Sequence, residues 1–304
     1  MGESSLNSGR PRVTTRSLVA ALRVHQWVKN LLVLVPVILD HQLLNVPVVL
    51  RGVVAFAAFC LAASGAYILN DLWDLETDQR HPSRRNRPFA SGTLSPRLGK
   101  TLAPTLFAAA VLLSLLIPMR SFFGLLVLYM TVTTAYSAYL KRVPVLDVLL
   151  LAGLYTLRVL AGVAATGVPF STWLLGFSMF LFLSLAFLKR YAEVSGLGGS
   201  TDEKVPRRGY LRSDREWLGS MGAASGYLSV LVLALYVSSD QVVALYRVPV
   251  LLWLVCPLLL FWISRMWLLA YRGRLHDDPI VATARDPVSY VIGGLVALVL
   301  LAAL

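Results

Sequence analysis

The stretch Val48–Asp78, VVLRGVVAFAAFCLAASGAYILNDLWDLETD, decides how the chain is read. Up to Asn70 it is one apolar run of the length a helix needs to cross a bilayer. Its last nine residues, Asn70 to Asp78, then place four ionisable carboxylates and an amide at the end of that run. On a helix continuing through them, Asn70, Asp74 and Asp78 recur every four residues, and Asp71, Asp74 and Asp78 follow an i, i+3, i+7 spacing, so all four share one face. Crowded carboxylates repel unless a cation sits among them. Magnesium suits the set, because it takes hard oxygen ligands, keeps some waters and bridges carboxylates to substrate phosphates. Asn70, Asp71, Asp74 and Asp78 are the candidate metal ligands, weighed against the plainer alternative of a helix end dressed with solvated acids.

Working outward, 304 residues of 57% hydrophobic composition and a mean hydropathy of +0.69 exceed the apolar content of a water-soluble domain and indicate an all-α integral membrane protein. Long apolar runs predict nine spans, near 28–45, 48–70, 97–117, 121–140, 143–166, 171–190, 217–238, 248–270 and 287–304. Residues 1–17 are polar, lack the apolar segment of a signal peptide and are expected as a disordered tail before a single membrane domain over 18–304. Cys60 and Cys256 stand alone in apolar runs, where packing is their role, and the four histidines show no metal-ligand spacing.

The basic residues orient the chain. With the N-terminus inside, the inner segments hold Arg10, Arg12, Arg16, Arg23 and Lys29, then Arg80 to Lys100, Lys141 and Arg142, Lys189 to Arg215, and Arg272 to Arg285. The outer loops keep only Arg51, Arg120 and Arg247. That asymmetry follows the positive-inside rule and, with an odd number of spans, leaves the C-terminus outside. It also accounts for the net charge of +12 without nucleic acid, for which no stacking platform or base-reading motif is present. Two long inner loops, 71–96 and 191–216, are expected to cap an active site.

In the first of these loops, Gln79-Arg80-His81-Pro82-Ser83-Arg84-Arg85-Asn86-Arg87-Pro88 follows the acids with two helix-breaking prolines and four arginines. Guanidinium groups of Arg80, Arg84 and Arg87 match phosphate oxygens, while a metal on Asp74 and Asp78 neutralises the same group from its other side. This is a diphosphate site in outline. Ser95-Pro96 restarts the chain as an N-cap with proline at the first helical position, and Arg97 and Lys100 are assigned to lipid headgroups or topology.

Taken in order, these pieces resemble the UbiA superfamily of intramembrane prenyltransferases. The matching runs are Arg23-Val24-His25-Gln26-Trp27-Val28-Lys29-Asn30, Asn70 to Asp78, Arg87-Pro88-Phe89-Ala90-Ser91-Gly92, and Tyr136 to Lys141. The resemblance covers nearly the whole chain. It implies a UbiA-type fold of nine transmembrane helices around a central cavity, magnesium-diphosphate motifs at its cytoplasmic mouth and a lateral opening to lipid.

One departure narrows the reading. Family members that move a prenyl group to an aromatic acceptor carry a second aspartate-rich motif after the sixth span, where this chain has Leu188-Lys189-Arg190-Tyr191-Ala192-Glu193. That run and Gln26 to Asn30 resemble the branch of decaprenyl-phosphate phosphoribosyltransferases. The branch implies phosphoribosyl diphosphate as donor, a polyprenyl phosphate as acceptor, and the cytoplasmic membrane of a bacterium, with room for a homo-oligomer, a trimer included. Extra substrate phosphates answer the exchange of acids for Lys189 and Arg190. An already ionised lipid phosphate also needs no general base.

Under this reading Asp71, Asp74, Asp78, Lys189 and Arg190 are the candidate catalytic residues. Lys29, Lys141 and Arg142 join the two bases of the sixth span in holding the lipid phosphate. Glu193 accepts a ribose hydroxyl or pairs with Arg190 or Lys189, and Tyr136, Tyr139 and Tyr191 reach phosphate or anchor the interface. Asp147 and Arg158 lie eleven residues apart in the fifth span, about 16 Å along a helix. They cannot pair directly there and are assigned to the substrate pocket. An aromatic-acceptor prenyltransferase and a polytopic transporter remain open as alternatives, although no internal repeat supports the transporter.

Overall fold

The computed structural model describes residues 14–80, 84–169, 171–196, 204–205, 208–275 and 278–304. In chain order the helices are α1 (Thr15–Leu22), α2 (Val35–Leu39), α3 (Val46–Trp73), α4 (Leu75–Arg80), α5 (Pro96–Ser114), α6 (Arg120–Ala138) and α7 (Leu146–Thr166). They continue as α8 (Thr172–Ser195), α9 (Arg215–Val237), α10 (Asp240–Leu245), α11 (Val255–Tyr271), α12 (Pro279–Thr283) and α13 (Pro287–Ala303). The remaining order among the described residues is short 3-10 turns, an eleven-residue 3-10 stretch over Val24–Leu34, and one isolated bridge between Lys204 and Leu211.

Six of the helical segments are long and apolar enough to cross a membrane: α3, α6, α7, α8, and α9 and α11 with their leading turns. The N-terminal pair Thr15–Leu22 and Val24–Leu39, bent by 44°, makes a seventh if taken as one span. The nine spans read from the sequence are not reached on length and apolarity. α13 has only 17 residues, and α5 opens with Arg97 and Lys100 in its first turns. Helix α1 starts at Thr15, capped by the Thr14 side chain, so order begins inside the segment expected as a tail; residues 1–13 lie outside the described residues. The loop expected over 71–96 is likewise partly helical, carrying the end of α3 and all of α4.

The two largest core clusters among the described residues form lobes that share α7. One gathers Val148, Tyr155, Phe182, Phe187 and Leu218 from α7, α8 and α9. The other gathers Phe59, Phe122, Leu126, Tyr129 and Ala161 from α3, α6 and α7, with Phe59 stacked obliquely on Tyr129 at 4.8 Å between ring centroids. Apolar side chains such as Leu228, Leu231, Leu298 and Leu301 point outward. Gly162 on α7 shows how tightly the N-terminal segment is seated: a Cβ there would lie 2.1 Å from the Val33 carbonyl oxygen, so only glycine admits the 3-10 stretch against α7.

Candidate active site

A cavity of about 380 Å³ opens between the lobes, with Tyr129 from one and Tyr155 from the other on its wall. Among the described residues eight basic side chains but only three carboxylates line it, an imbalance that selects anionic ligands.

The Asn70–Asp78 motif supplies one side. The chain leaves α3 at Asp74 and re-enters helix at Leu75, yet Asp74 N still bonds Asn70 O at 2.9 Å and Asp78 N bonds Asp74 O at 2.8 Å. The four polar residues do not act as one face. They divide into two pairs: Asn70 with Asp74, and Asp71 with Asp78. At 3.6 residues per turn positions 74 and 78 are as close, about 40°, as positions 70 and 74, so the division comes from the break at Asp74 and from the cations on either side rather than from the spacing.

Lys141 closes the first pair, donating to Asn70 Oδ1 at 3.1 Å and to both Asp74 oxygens at 3.0 Å. Arg87 closes the second, donating to Asp78 Oδ2 at 2.6 Å and Asp71 Oδ1 at 3.2 Å, and Arg23 reaches the same Asp71 oxygen at 2.5 Å. Burial foremost, and then Arg208 and Arg142 nearby, lowers the Lys141 ammonium to about 8. Asn70, Asp74, Arg84, Arg87 and Lys141 face the cavity, whereas Asp71 and Asp78 are buried behind it.

Among the described residues no three carboxylate, histidine or cysteine groups converge to hold a metal ion. The donor chemistry nonetheless suits magnesium: Asp74 and Asn70 present oxygens to the cavity, and buried Asp78 Oδ1 has no hydrogen-bond partner.

The opposite side is built on Lys29, Lys189 and Asp278. Both ammonium groups lie 2.8 Å from Asp278 Oδ2. The other oxygen accepts from Ile280 N at 3.3 Å and Tyr155 Oη at 3.4 Å, which makes the carboxylate the N-cap of α12. Burial would raise the Asp278 carboxyl, but Lys189 and Lys29 outweigh it and hold it well below the usual carboxylate range. Lys29 reaches the cavity because of the 3-10 stretch. Arg23 takes a left-handed conformation, φ +50°, breaking the first span, and the three-residue repeat after it aligns Arg23, Gln26 and Lys29, all of which line the cavity.

Several residues assigned to substrate are fastened elsewhere. Arg190, almost fully buried, bonds both oxygens of Asp147 as well as Glu193 and Tyr136 Oη, and does not line the cavity. Tyr136 Oη donates to Asp147 at 2.6 Å, and Arg208 joins the same cluster at 3.0 Å from that hydroxyl. Tyr136 and Glu193 keep one side on the cavity; Asp147 does not.

Arg158 does border the cavity, and each of its three nitrogens is already tied to the protein, to Asn30 (2.9 Å), the Leu154 carbonyl (2.6 Å) and Tyr129 Oη (2.9 Å). Tyr191 packs edge-on to Trp267 and accepts from Arg215 at 3.0 Å, away from the site. Arg80 and Arg142 are exposed at the surface outside the cavity wall.

The sequence reading missed Asp278, Arg208, Tyr67, Tyr129 and Tyr155 on the wall. A signal for Asp278 exists in the sequence: an acid preceding Pro279, the composition of a helix start, in an otherwise basic inner loop.

Residues 37–284 match the UbiA prenyltransferase family. The chain is 38% identical over 281 residues to the uncharacterized protein y4nM of Sinorhizobium fredii, covering 92% of this chain and 54% of that protein, so it spans about half the length of that relative. It is 35% identical over 275 residues to the nodulation protein NoeC of Azorhizobium caulinodans, covering 89% of this chain and 88% of NoeC. A decaprenyl-phosphate phosphoribosyltransferase of Mycolicibacterium smegmatis is 34% identical over 209 residues, 67% of this chain and 64% of that enzyme. The fold matches that of a UbiA homolog from Archaeoglobus fulgidus bound to GPP and Mg2+, with a TM-score of 0.69 at 15% identity over 93% of this chain and 99% of that one. The family match spans most of the chain and the fold agrees with it, so the chain belongs to the UbiA prenyltransferase family.

Proposed function

We propose that the protein transfers 5-phosphoribosyl from phosphoribosyl diphosphate to a polyprenyl phosphate, releasing diphosphate. The observation that carries this reading is the pair of cationic groups on one cavity, Arg84, Arg87 and Lys141 beside Asp74, and Lys29 with Lys189 beside Asp278. Two phosphorylated substrates call for two such groups, whereas transfer of a prenyl group to an aromatic acid calls for one.

The donor diphosphate lies against Arg84, Arg87 and Lys141, whose N–H groups stabilise its charge as the anomeric C–O bond breaks. Asp74 and Asn70, with Asp78 behind them, would hold magnesium, which adds charge neutralisation of the leaving diphosphate. Lys29 and Lys189 present the lipid phosphate, one of whose oxygens forms the new bond to the anomeric carbon from the opposite face. The attacking oxygen is already ionised near neutral pH, so no proton moves. The products are polyprenyl-phosphoryl ribose 5-phosphate and diphosphate.

The cavity tyrosines favour the aromatic-acceptor alternative in one respect, since π faces stabilise an allylic cation. Those faces are engaged, however: Arg23 lies over Tyr67 at 5.0 Å, Arg158 over Tyr129 at 4.8 Å and Lys29 over Tyr155 at 5.9 Å. Kinship to decaprenyl-phosphate phosphoribosyltransferases supports the first reading further.

The same proposal places the chain in a bacterial inner membrane with nine crossings, counting α5 and α13, the N-terminus inside and the C-terminus outside. Reporter fusions after Ser91 and Leu304 then give opposite signals. The decisive assay is turnover of radiolabelled phosphoribosyl diphosphate by purified protein against a panel of prenyl phosphates and aromatic acids. Product from prenyl diphosphate and an aromatic acid, with none from phosphoribosyl diphosphate, ends the reading.

A further inference from the structure

Lys29 and Lys189 come from distant parts of the chain, the 3-10 stretch and α8, yet both bracket one atom, Asp278 Oδ2, at 2.8 Å. That atom marks the place on the wall where negative charge is most favoured. The lysines are also underused. Each ammonium has three N–H donors, and among the described residues the only acceptor within reach of either is Asp278. Buried polar groups normally find partners, as every nitrogen of Arg158 and Arg190 does, so spare lysine donors on a cavity wall are capacity for an oxygen-rich ligand. The charge count agrees: the described residues lining the cavity are eight basic side chains against three carboxylates, Asp74, Glu193 and Asp278, and of those three only Asp278 is paired with Lys29 and Lys189.

We infer that Asp278 is the resident counter-ion of a phosphate-monoester subsite and competes with substrate for Lys29 and Lys189, so that it sets how tightly that phosphate binds. This rests on the reading that the cavity takes phosphorylated substrates. The exchange needs little movement of Asp278, whose second oxygen stays with Ile280 N and Tyr155 Oη. The lysines move instead, on flexible four-carbon stems. Lys189, whose side chain is 27% exposed against 8% for Lys29, turns first.

An internal competitor lowers apparent affinity by the fraction of time it holds the site. Removing its charge while keeping its shape therefore tightens binding, whereas a carboxylate that merely held the lysines in place would give weaker binding when neutralised. The shared ligand chemistry is a phosphate monoester, found on a lipid phosphate and on the 5-phosphate of the donor, and two probes separate the sources.

Dissociation constants of farnesyl phosphate and ribose 5-phosphate are measured calorimetrically on the full-length chain in detergent at fixed ionic strength, for wild type, Asp278→Asn and the double variant Asp278→Asn/Lys189→Gln. Asp278→Asn tightens one probe about tenfold, farnesyl phosphate for an acceptor subsite or ribose 5-phosphate for a donor subsite, and the double variant loses the gain. Unchanged or weaker binding of both probes in folded Asp278→Asn overturns the inference. If that variant is not recovered folded, Lys29→Gln and Lys189→Gln carry the test: each weakens the same probe about tenfold, and unchanged affinity in both overturns it. Turnover of phosphoribosyl diphosphate, assayed separately, tells the two failures apart. Tightening without that turnover ends the functional reading alone, and turnover without tightening ends the inference alone.

Discussion

Two ionic clusters adjoin on α8 and are built on opposite principles. Around Arg190 every group is spent: the guanidinium is shared among Asp147, Glu193 and Tyr136, Tyr136 returns a hydrogen bond to Asp147, and Arg208 completes the set. One residue earlier, Lys189 shares a single acceptor with Lys29. The first cluster ties α6, α7 and α8 together and shows the cavity only the flanks of Tyr136, Glu193 and Arg208. The second puts both lysines and their shared carboxylate on the cavity wall. The difference teaches that burial and charge do not distinguish fastening from function here; donor capacity left over does.

The largest test lies at the mouth, where Asp74 lines the cavity beside Asn70 and Lys141. Asp74→Ala lowers turnover on the order of 10³-fold with expression and insertion retained, and chelator reproduces the loss in wild type. Full activity of the variant at saturating magnesium removes the aspartate motif from catalysis. Next comes Arg190→Met, which leaves buried Asp147 with only Tyr136 and the more distant Arg208 and costs about 3 kcal/mol. It should be read as lower yield and a lower melting temperature, with KM unchanged in whatever folds. A raised KM at unchanged stability would merge the two clusters into one site.

Smaller is Lys189→Ala, expected to raise KM about tenfold at wild-type melting temperature, since it removes one charge-assisted contact from a wall already rich in cations. Arg142→Ala, at an exposed side chain off the cavity, should leave initial rates within about twofold, and a larger fall would extend the site onto the surface.

Much of the site was legible because charge is costly in an apolar chain. Asn70, Asp74, Lys141, Lys29, Lys189 and Glu193 stand out from the runs around them, and all reach the cavity. What sequence could not separate was Lys189 from Arg190. Adjacent helical residues differ by about 100° in direction, and which of the two faces the ligand depends on where α7 delivers Asp147. Asp147 and Arg158 were read correctly as unable to pair with each other. Their partners, Arg190 for one and Asn30 with Tyr129 for the other, come from other helices and are invisible to spacing along α7. Asp278 was hidden for a related reason, since the basic inner loop around it reads as topology. Nine spans are not reached on length and apolarity because α5 and α13 fall short, one through the charges in its first turns and the other through its length.

The 3-10 geometry of Val24–Leu34 carries a consequence for how this segment tolerates change. Its rungs Arg23, Gln26 and Lys29 are spaced by three residues, about 6 Å apart along the axis, and they stay in line only because the repeat is a whole number. A side chain between rungs can be exchanged without disturbing the line. One residue added or removed between Arg23 and Lys29 swings Lys29 by a third of a turn, off the cavity and into the neighbouring α7 contact that Gly162 keeps so close. Length, more than residue identity, is what this segment has to preserve, and single-residue insertions or deletions here should be far more damaging than substitutions at Val24, Trp27 or Val28.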